Sequence, residues 1–337
     1  MASSATPAPG LGGRPTNLVG RPLRARLPDR ALKWGLFGLA VGILVLIGFF
    51  FVRLAIEAEP AFSKFGILGF PFSNDWDVSR STYGALPLVV GTLITSTIAL
   101  VIGVPVAVAT ALYLTELCPR RLRGPLTILV ELLAAVPSVV YGLWGVFVLI
   151  PKLKPAEEWF GKTFDFLPFV SSTVAGPNYF IAGLILAIMI VPIVSAISRE
   201  VIVTVPADHK EAALALGATR WEMIRIAVLP YARPGITGGA MLGLGRAIGE
   251  TIAVTLVIGN APVIGDTIFS QGYTLAAVIA NEFGEAANNE THRAALIGAG
   301  LVLFILTLLV NIAARWFVRK RADPTTEPLP VAPGAVV

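Results

Sequence analysis

Arg246 and Glu250 stand four residues apart in the stretch GLGRAIGET, and they are the only charged residues between Pro234 and Val263. A guanidinium offers a planar fork of N–H donors, keeps its charge at any physiological pH and matches the oxygens of an oxyanion. A carboxylate one helical turn away can hold that fork in place and limit the net positive charge when no anion is present. The chemistry this predicts is capture and release of an anion along an aqueous pathway, without covalent change. The alternative is structural: the two charges neutralise each other and lock a helix bundle. Against it, acid ahead of base is the better order at this spacing, and here the base comes first. A charge at the centre of an apolar helix costs about 2.5–3.5 kcal/mol on insertion scales, so either reading must explain its presence.

Other chemistries find less support. AEEWFGKT, Ala156 to Thr163, approaches a phosphate-binding loop, but Ala156 replaces the first glycine, and Glu157 and Glu158 repel phosphate. The single cysteine, Cys118, excludes an intrachain disulfide and a cysteine-based metal cluster. With only His209 and His292 besides, no metal, cofactor or catalytic constellation is expected in this chain.

The elements that must position the pair are membrane helices. Of the 337 residues 55% are hydrophobic and 14% charged, with a mean hydropathy of +0.78. Soluble domains carry roughly 25% charged residues. Several uncharged runs exceed the roughly 18 residues that mark a membrane-spanning helix. The expected fold class is an all-α polytopic membrane protein with six transmembrane helices. The spans run from Trp34 to Val52, Leu86 to Thr115 (kinked at Pro105), Pro125 to Ile150, Tyr179 to Ser198, Gly235 to Ile258 and Ala294 to Ala314. Gly235, Gly239 and Gly243, like Gly245 and Gly249, recur at the four-residue spacing that lets helices approach closely, which makes the fifth span central. Glu131, near the start of the third span, is expected to serve in structural pairing.

Orientation follows from Lys and Arg in the connections. Arg14, Arg21, Arg24, Arg26, Arg30 and Lys33 precede the first span, and Arg315, Arg319, Lys320 and Arg321 follow the last. The stretch Asn260 to Thr291 carries Asp266, Glu282, Glu285 and Glu290 without Lys or Arg. Both termini are therefore expected in the cytoplasm. Residues 1–30 and 322–337 read as disordered cytoplasmic tails around a permease domain at 31–321, with too few apolar residues to fold.

One cytoplasmic connection is more than a loop. Pro206 to Ile236 reads as a helix (DHKEAALAL), a turn at Gly217, and a second helix (TRWEMIRIAVL) stopped by Leu229-Pro230. Trp221, Met223, Ile224 and Ile226 among charges suit docking to a soluble partner, or, alternatively, lying on the membrane interface anchored by Trp221. Glu211, Ala212, Ala213, Gly217, Leu229 and Pro230 match the EAA motif at its spacing, with Ala227 where the motif usually has Ile. The segment resembles the coupling loop of ABC importer permeases. ELLAAVPSVVYGLWG (131–145) and GLGRAIGETIAVTLVIGN (243–260) narrow the resemblance to the PstC-type permeases of phosphate importers, over about residues 30 to 320.

That resemblance implies a type I ABC importer permease fold, with a transmembrane core over about 86–317 and a cytoplasmic coupling loop at 206–234. It implies a multi-pass subunit of the prokaryotic plasma membrane with no ATPase site of its own. ATP and Mg would be used by a separate ATP-binding cassette ATPase dimer seated on the loop. A PstA-like second permease and an extracytoplasmic phosphate-binding protein complete the implied assembly, and no nucleic acid enters it. Arg246 and Glu250 would be the residues that transport depends on. A permease for another oxyanion, sulfate or molybdate, and an anion transporter working without an ATPase are the alternatives.

Overall fold

The structure is a computed structural model and describes residues 26–166, 169–170 and 174–321. The expected tails fall outside those residues except at Arg26 to Arg30, where α1 (Arg26–Phe65) has already begun. The chain forms two compact units, Met1–Arg53 and Leu54–Val337. The first, where described, is the longer part of α1, whose uncharged stretch from Trp34 to Val52 is long enough to cross a bilayer.

The second unit continues through α2 (Gly69–Phe72), α3 (Leu86–Leu112), α4 (Arg120–Ala135), α5 (Ser138–Trp144), α6 (Ile150–Thr163) and α7 (Tyr179–Val203). Then follow α8 (Ala207–Ala215), α9 (Arg220–Met223), α10 (Leu229–Gly249), α11 (Ile252–Val257), α12 (Leu275–Glu282) and α13 (Glu290–Arg321). Among the described residues there is no sheet, only isolated bridges at Asp77–Thr82 and Gly259–Gly272.

Helix α7 is the axis of this unit. Its start is capped by Asn178, whose Oδ1 accepts from the Ile181 amide at 2.8 Å. Helices α3 and α10 press on it through glycines. A Cβ at Gly183 would meet Ile98 of α3, and Cβ atoms at Gly235, Gly239 and Gly243 would meet Val201, Ile197 and Val194 of α7. The first glycine stripe is thus the seam it was expected to be, whereas Gly245 and Gly249 face open space. The buried hydroxyls of α3 are satisfied within the helix. Thr92, Thr95 and Ser96 donate to the carbonyls of Leu88, Gly91 and Thr92 at 2.7, 2.9 and 2.6 Å.

Among the described residues, three segments are wound as π-helix: Tyr113–Leu117, Gly145–Leu149 and Ile224–Val228. The second and third hold the carbonyl four residues ahead of a proline that continues the helix: Phe147 for Pro151 and Ile226 for Pro230. A proline ring clashes with that carbonyl in a regular helix, and the wider π turn moves it aside. This corrects the expected stop at Leu229-Pro230. The chain stays helical from Arg220 to Gly249, through the π turn and past Pro230.

Two expected spans are also corrected. Among the described residues, five helices are long and apolar enough to cross a membrane: Ala31–Phe65, Leu86–Leu117, Ser138–Thr163, Tyr179–Val203 and Glu290–Trp316. The third span does not run unbroken from Pro125 to Ile150. Pro137 forces Val136 into an extended conformation (φ −67°, ψ 126°), and the helix restarts at Ser138. The fifth does not run unbroken from Gly235 to Ile258. It ends at Gly249, Glu250 is extended (φ −71°, ψ 131°), and α11 starts afresh at Ile252. No proline marks that break; Gly245, Gly249 and β-branched Thr251 leave the helix weak there.

Candidate functional site

The two breaks lie side by side. Cβ atoms at Gly142 and Gly145 of the restarted helix would meet Ala253 with Leu256, and Val257, so α5 and α11 run in the same direction in close contact. Gly142 allows this approach: its Cβ would stand 2.6 Å from Leu256 Cδ1 and 3.1 Å from Ala253 Cα. Overpacking of this kind costs about 1–3 kcal/mol. Gly142→Val is therefore expected to pry α5 from α11 and to lower the melting temperature of the purified protein by several degrees, measured by differential scanning fluorimetry. An unchanged melting temperature would show that the seam yields.

Arg246 occupies the last turn of α10 and is exposed, while its neighbours Ala247 and Ile248 are buried, Ala247 in one cluster with residues of α7 and α11. Tyr141, on α5, packs in the same buried cluster as Ala247, the residue after Arg246, and its ring carries an oxygen. That oxygen donates to the Leu133 carbonyl at 2.8 Å and so staples α4 to α5 across the Val136–Pro137 break. Glu250 is half-buried at the second break, and its Oε1 accepts weakly from the Ala253 amide at 3.4 Å. Among the described residues no ion pair joins it to Arg246. The expected geometry, both charges on one helical face, is therefore corrected: Glu250 turns toward the start of α11 and Arg246 is left presented to the open side. Gly245 and Gly249 flank it with nothing within 4 Å of their Cβ positions. An exposed guanidinium on a glycine-lined, otherwise apolar face can bind an anion.

The second group of expected residues forms the loop at one end of the bundle. Gly217 has φ +85°, the left-handed conformation that glycine adopts without a Cβ clash, and it reverses the chain between α8 and α9. Thr219 and Glu222 make a reciprocal capping box: the Thr219 amide donates to Glu222 Oε2 at 2.7 Å, and the Glu222 amide donates to Thr219 Oγ1 at 3.3 Å. The backbone and side-chain bonds from Thr219 hold the Glu222 carboxyl below the usual carboxylate range. Ala213 and partly buried Leu229 face inward onto Met223, Ile224, Val228 and Ala232. Glu211, Ala212 and Pro230 are exposed. So are Leu216 at 90%, Trp221 at 64% and Ile226 at 61%. A 720 Å³ groove runs between α8 and the following helix, lined by Ala212, Leu216, Ile226, Pro230 and Tyr231 among others.

Sequence reasoning left out Tyr141 and the ion pairs that bind this end together. Lys210 Nζ meets Glu116 Oε1 at 2.6 Å, and Arg199 Nη2 meets Glu131 Oε1 at 2.6 Å. Glu131 thus takes the structural pairing expected of it. The partners of the other contacts lie far apart in the chain, and no local spacing pointed to them.

The family described as binding-protein-dependent transport system inner membrane component matches residues 103–323. The phosphate transport system permease protein PstC of Pasteurella multocida is 43% identical over 286 residues, covering 83% of this chain and 88% of that protein. Its counterpart in Mesorhizobium japonicum is 44% identical over 286 residues, covering 83% and 87%. The probable PstC of Methanocaldococcus jannaschii is 36% identical over 291 residues, covering 85% and 90%. Among solved structures, a chain of the bacterial alginate ABC transporter in complex with its pentasaccharide-bound periplasmic protein superimposes with a TM-score of 0.58. It is 20% identical, covering 88% of this chain and 99% of that one, and this likeness concerns the fold.

Proposed function

The chain belongs to the binding-protein-dependent transport system inner membrane components and, within them, to the PstC phosphate permeases; from that premise we propose how its residues carry phosphate. It is the multi-pass permease subunit of an ATP-driven phosphate importer of the inner membrane, a transport component. In our reading it contributes one half of the pathway. The other half comes from a PstA-like companion permease packed on the open side beside Arg246. A phosphate-binding protein delivers the anion from outside. Both termini and the Gly217 loop lie in the cytoplasm, and the loop seats in an ATPase dimer that consumes ATP with Mg.

The observation that carries this reading is the continuity of the helix from Arg220 to Gly249. Its first turn belongs to the coupling loop and its last turn holds Arg246. Thirty residues at 1.5 Å each make a rod of roughly 45 Å. Closure of the ATPase dimer pushes on Leu216, Trp221 and the groove beside Pro230, and the rod carries that displacement to the guanidinium. Arg246 holds a phosphate through its fork of donors. Displacing it relative to the companion subunit alters the pathway on the two sides of the bound anion. Glu250, at the break beyond, lowers the local positive potential so that phosphate leaves again. Capture through N–H donors of a guanidinium needs no proton transfer by the protein.

The test is uptake of radiolabelled phosphate by the reconstituted four-component complex, with sulfate and molybdate as competitors. Uptake should require ATP and resist about a hundredfold excess of sulfate, a discrimination within reach of about 3 kcal/mol of differential hydrogen bonding. Strong competition by sulfate would move the assignment to another oxyanion, and uptake without ATPase would end the ABC reading.

A further inference from the structure

We infer that α4 is a second mechanical link from the coupling loop to the anion site, and that Glu116 is a positioning residue that engages it. The inference rests on the coupling reading above and extends it to a different helix. Helix α4 has no fully buried residue; Leu126 and Val130 are half-buried, and polar contacts add to what holds it in place. At its start, Arg123 Nη2 donates to the Thr115 carbonyl, which belongs to the π turn Tyr113–Leu117. Along its length Glu131 pairs with Arg199 of α7. Across the Val136–Pro137 break, the Tyr141 hydroxyl donates to the Leu133 carbonyl in its last turn, and Tyr141 shares a buried cluster with Ala247, the residue after Arg246.

The same π turn is where the coupling loop takes hold. Glu116 lies next to Thr115, and its Oε1 receives Lys210 Nζ from α8, the residue just ahead of Glu211. Both side chains are largely shielded, at 12% and 22% exposure, so this pair is screened less than an ordinary surface bridge. Lys210 thus ties α8 to the π turn that follows α3. The two links differ in kind. The rod from Arg220 to Gly249 transmits through its own backbone. The path Lys210, Glu116, Thr115, Arg123, α4, Leu133, Tyr141 transmits through side chains that grip backbone carbonyls, one just before α4 and one in its last turn. A π turn holds its hydrogen bonds less regularly than an α-helix and can shift register under a pull, which suits it to the junction. Movement of α8 therefore draws on the base of α4 while the rod moves α10, so Tyr141 and Arg246 are repositioned together.

The experiment uses the full complex in proteoliposomes and reads two quantities at once, phosphate imported and ATP hydrolysed. Glu116→Gln and Lys210→Met are expected to raise the ATP used per phosphate imported by about fivefold, the lower end of typical coupling between sites. Exchanging the charges, Glu116→Lys with Lys210→Glu, is expected to bring that ratio back to within roughly twofold of the wild type, as a restored direct pair does. Arg123→Gln leaves the Lys210–Glu116 pair intact and should raise the ratio as well, which keeps the inference testable if Glu116→Gln fails to assemble. A purely structural role would lower import and hydrolysis together and leave the ratio unchanged, and that result overturns the link. A wild-type complex that retains no ATPase or imports no phosphate refutes the coupling reading itself. A working wild type with unchanged ratios in the variants refutes the α4 link alone.

Discussion

Phosphate uptake is expected to fall about a hundredfold in Arg246→Gln at matched expression, because the charge-assisted contact it loses contributes some 1.5–3 kcal/mol and every 1.4 kcal/mol is a factor of ten. The substituted amide keeps two donors but no charge, and Glu250 then faces the arriving anion without a counter-charge. Arg246→Lys keeps the charge without the planar fork and should retain an intermediate rate. The decisive variant is the double one, Arg246→Gln with Glu250→Gln. If the two residues formed a structural ion pair, removing both would restore most activity, since replacing a whole buried pair is often tolerated where breaking it is not. The geometry argues the other way: Arg246 is exposed and Glu250 turns to the Ala253 amide. The double variant should therefore stay as inactive as Arg246→Gln. Uptake that recovers in it would assign the pair to architecture.

The class of fold was legible because lipid imposes it. Uncharged runs of bilayer length can only be helices, since no water is there to satisfy a broken backbone. What could not be read were the places where the backbone does break. Val136–Pro137 and Pro105 look alike in sequence, yet Pro105 sits inside a continuous α3 while Pro137 restarts the helix. Both prolines are exposed, and nothing in the neighbouring residues distinguishes the two outcomes. The break at Glu250 carries no proline at all, and helical spacing put its carboxylate on the face of Arg246, where it is not. Leu229-Pro230 misled in the opposite sense, since a π turn absorbs the proline and turns an apparent stop into the middle of a rod. The coupling loop was legible residue by residue because it is local: Gly217, Thr219 and Glu222 act on backbone within a few positions. Tyr141 beside Arg246 and Lys210 on Glu116 depend on tertiary placement, to which local patterning is blind.

The turn at Gly217 supplies the second large effect, and it isolates backbone strain from packing. Its Cβ position has nothing within 4 Å, so any side chain fits in space. Only the φ of +85° selects against substitution. For an L-residue this conformation costs roughly 1–2 kcal/mol, more for a β-branched one and less for asparagine, whose short polar side chain visits it. The expected order of phosphate uptake is therefore Gly217 and Gly217→Asn highest, Gly217→Ala lower and Gly217→Val lowest, by about tenfold at the end of the series. The loss should arise at the partner. A turn that relaxes swings α8 away from the Thr219 cap, so Leu216, Ala212 and Pro230 no longer line one groove. The ATPase should then co-purify more weakly in the same order, while affinity of the binding protein for phosphate stays unchanged. Hydropathy and volume rise from Ala to Val but bear no such relation to Asn, so a ranking that follows size would point to contact with the ATPase surface in place of backbone strain. Full uptake and full ATPase retention in Gly217→Val would show that the loop does not need the reversed turn to couple.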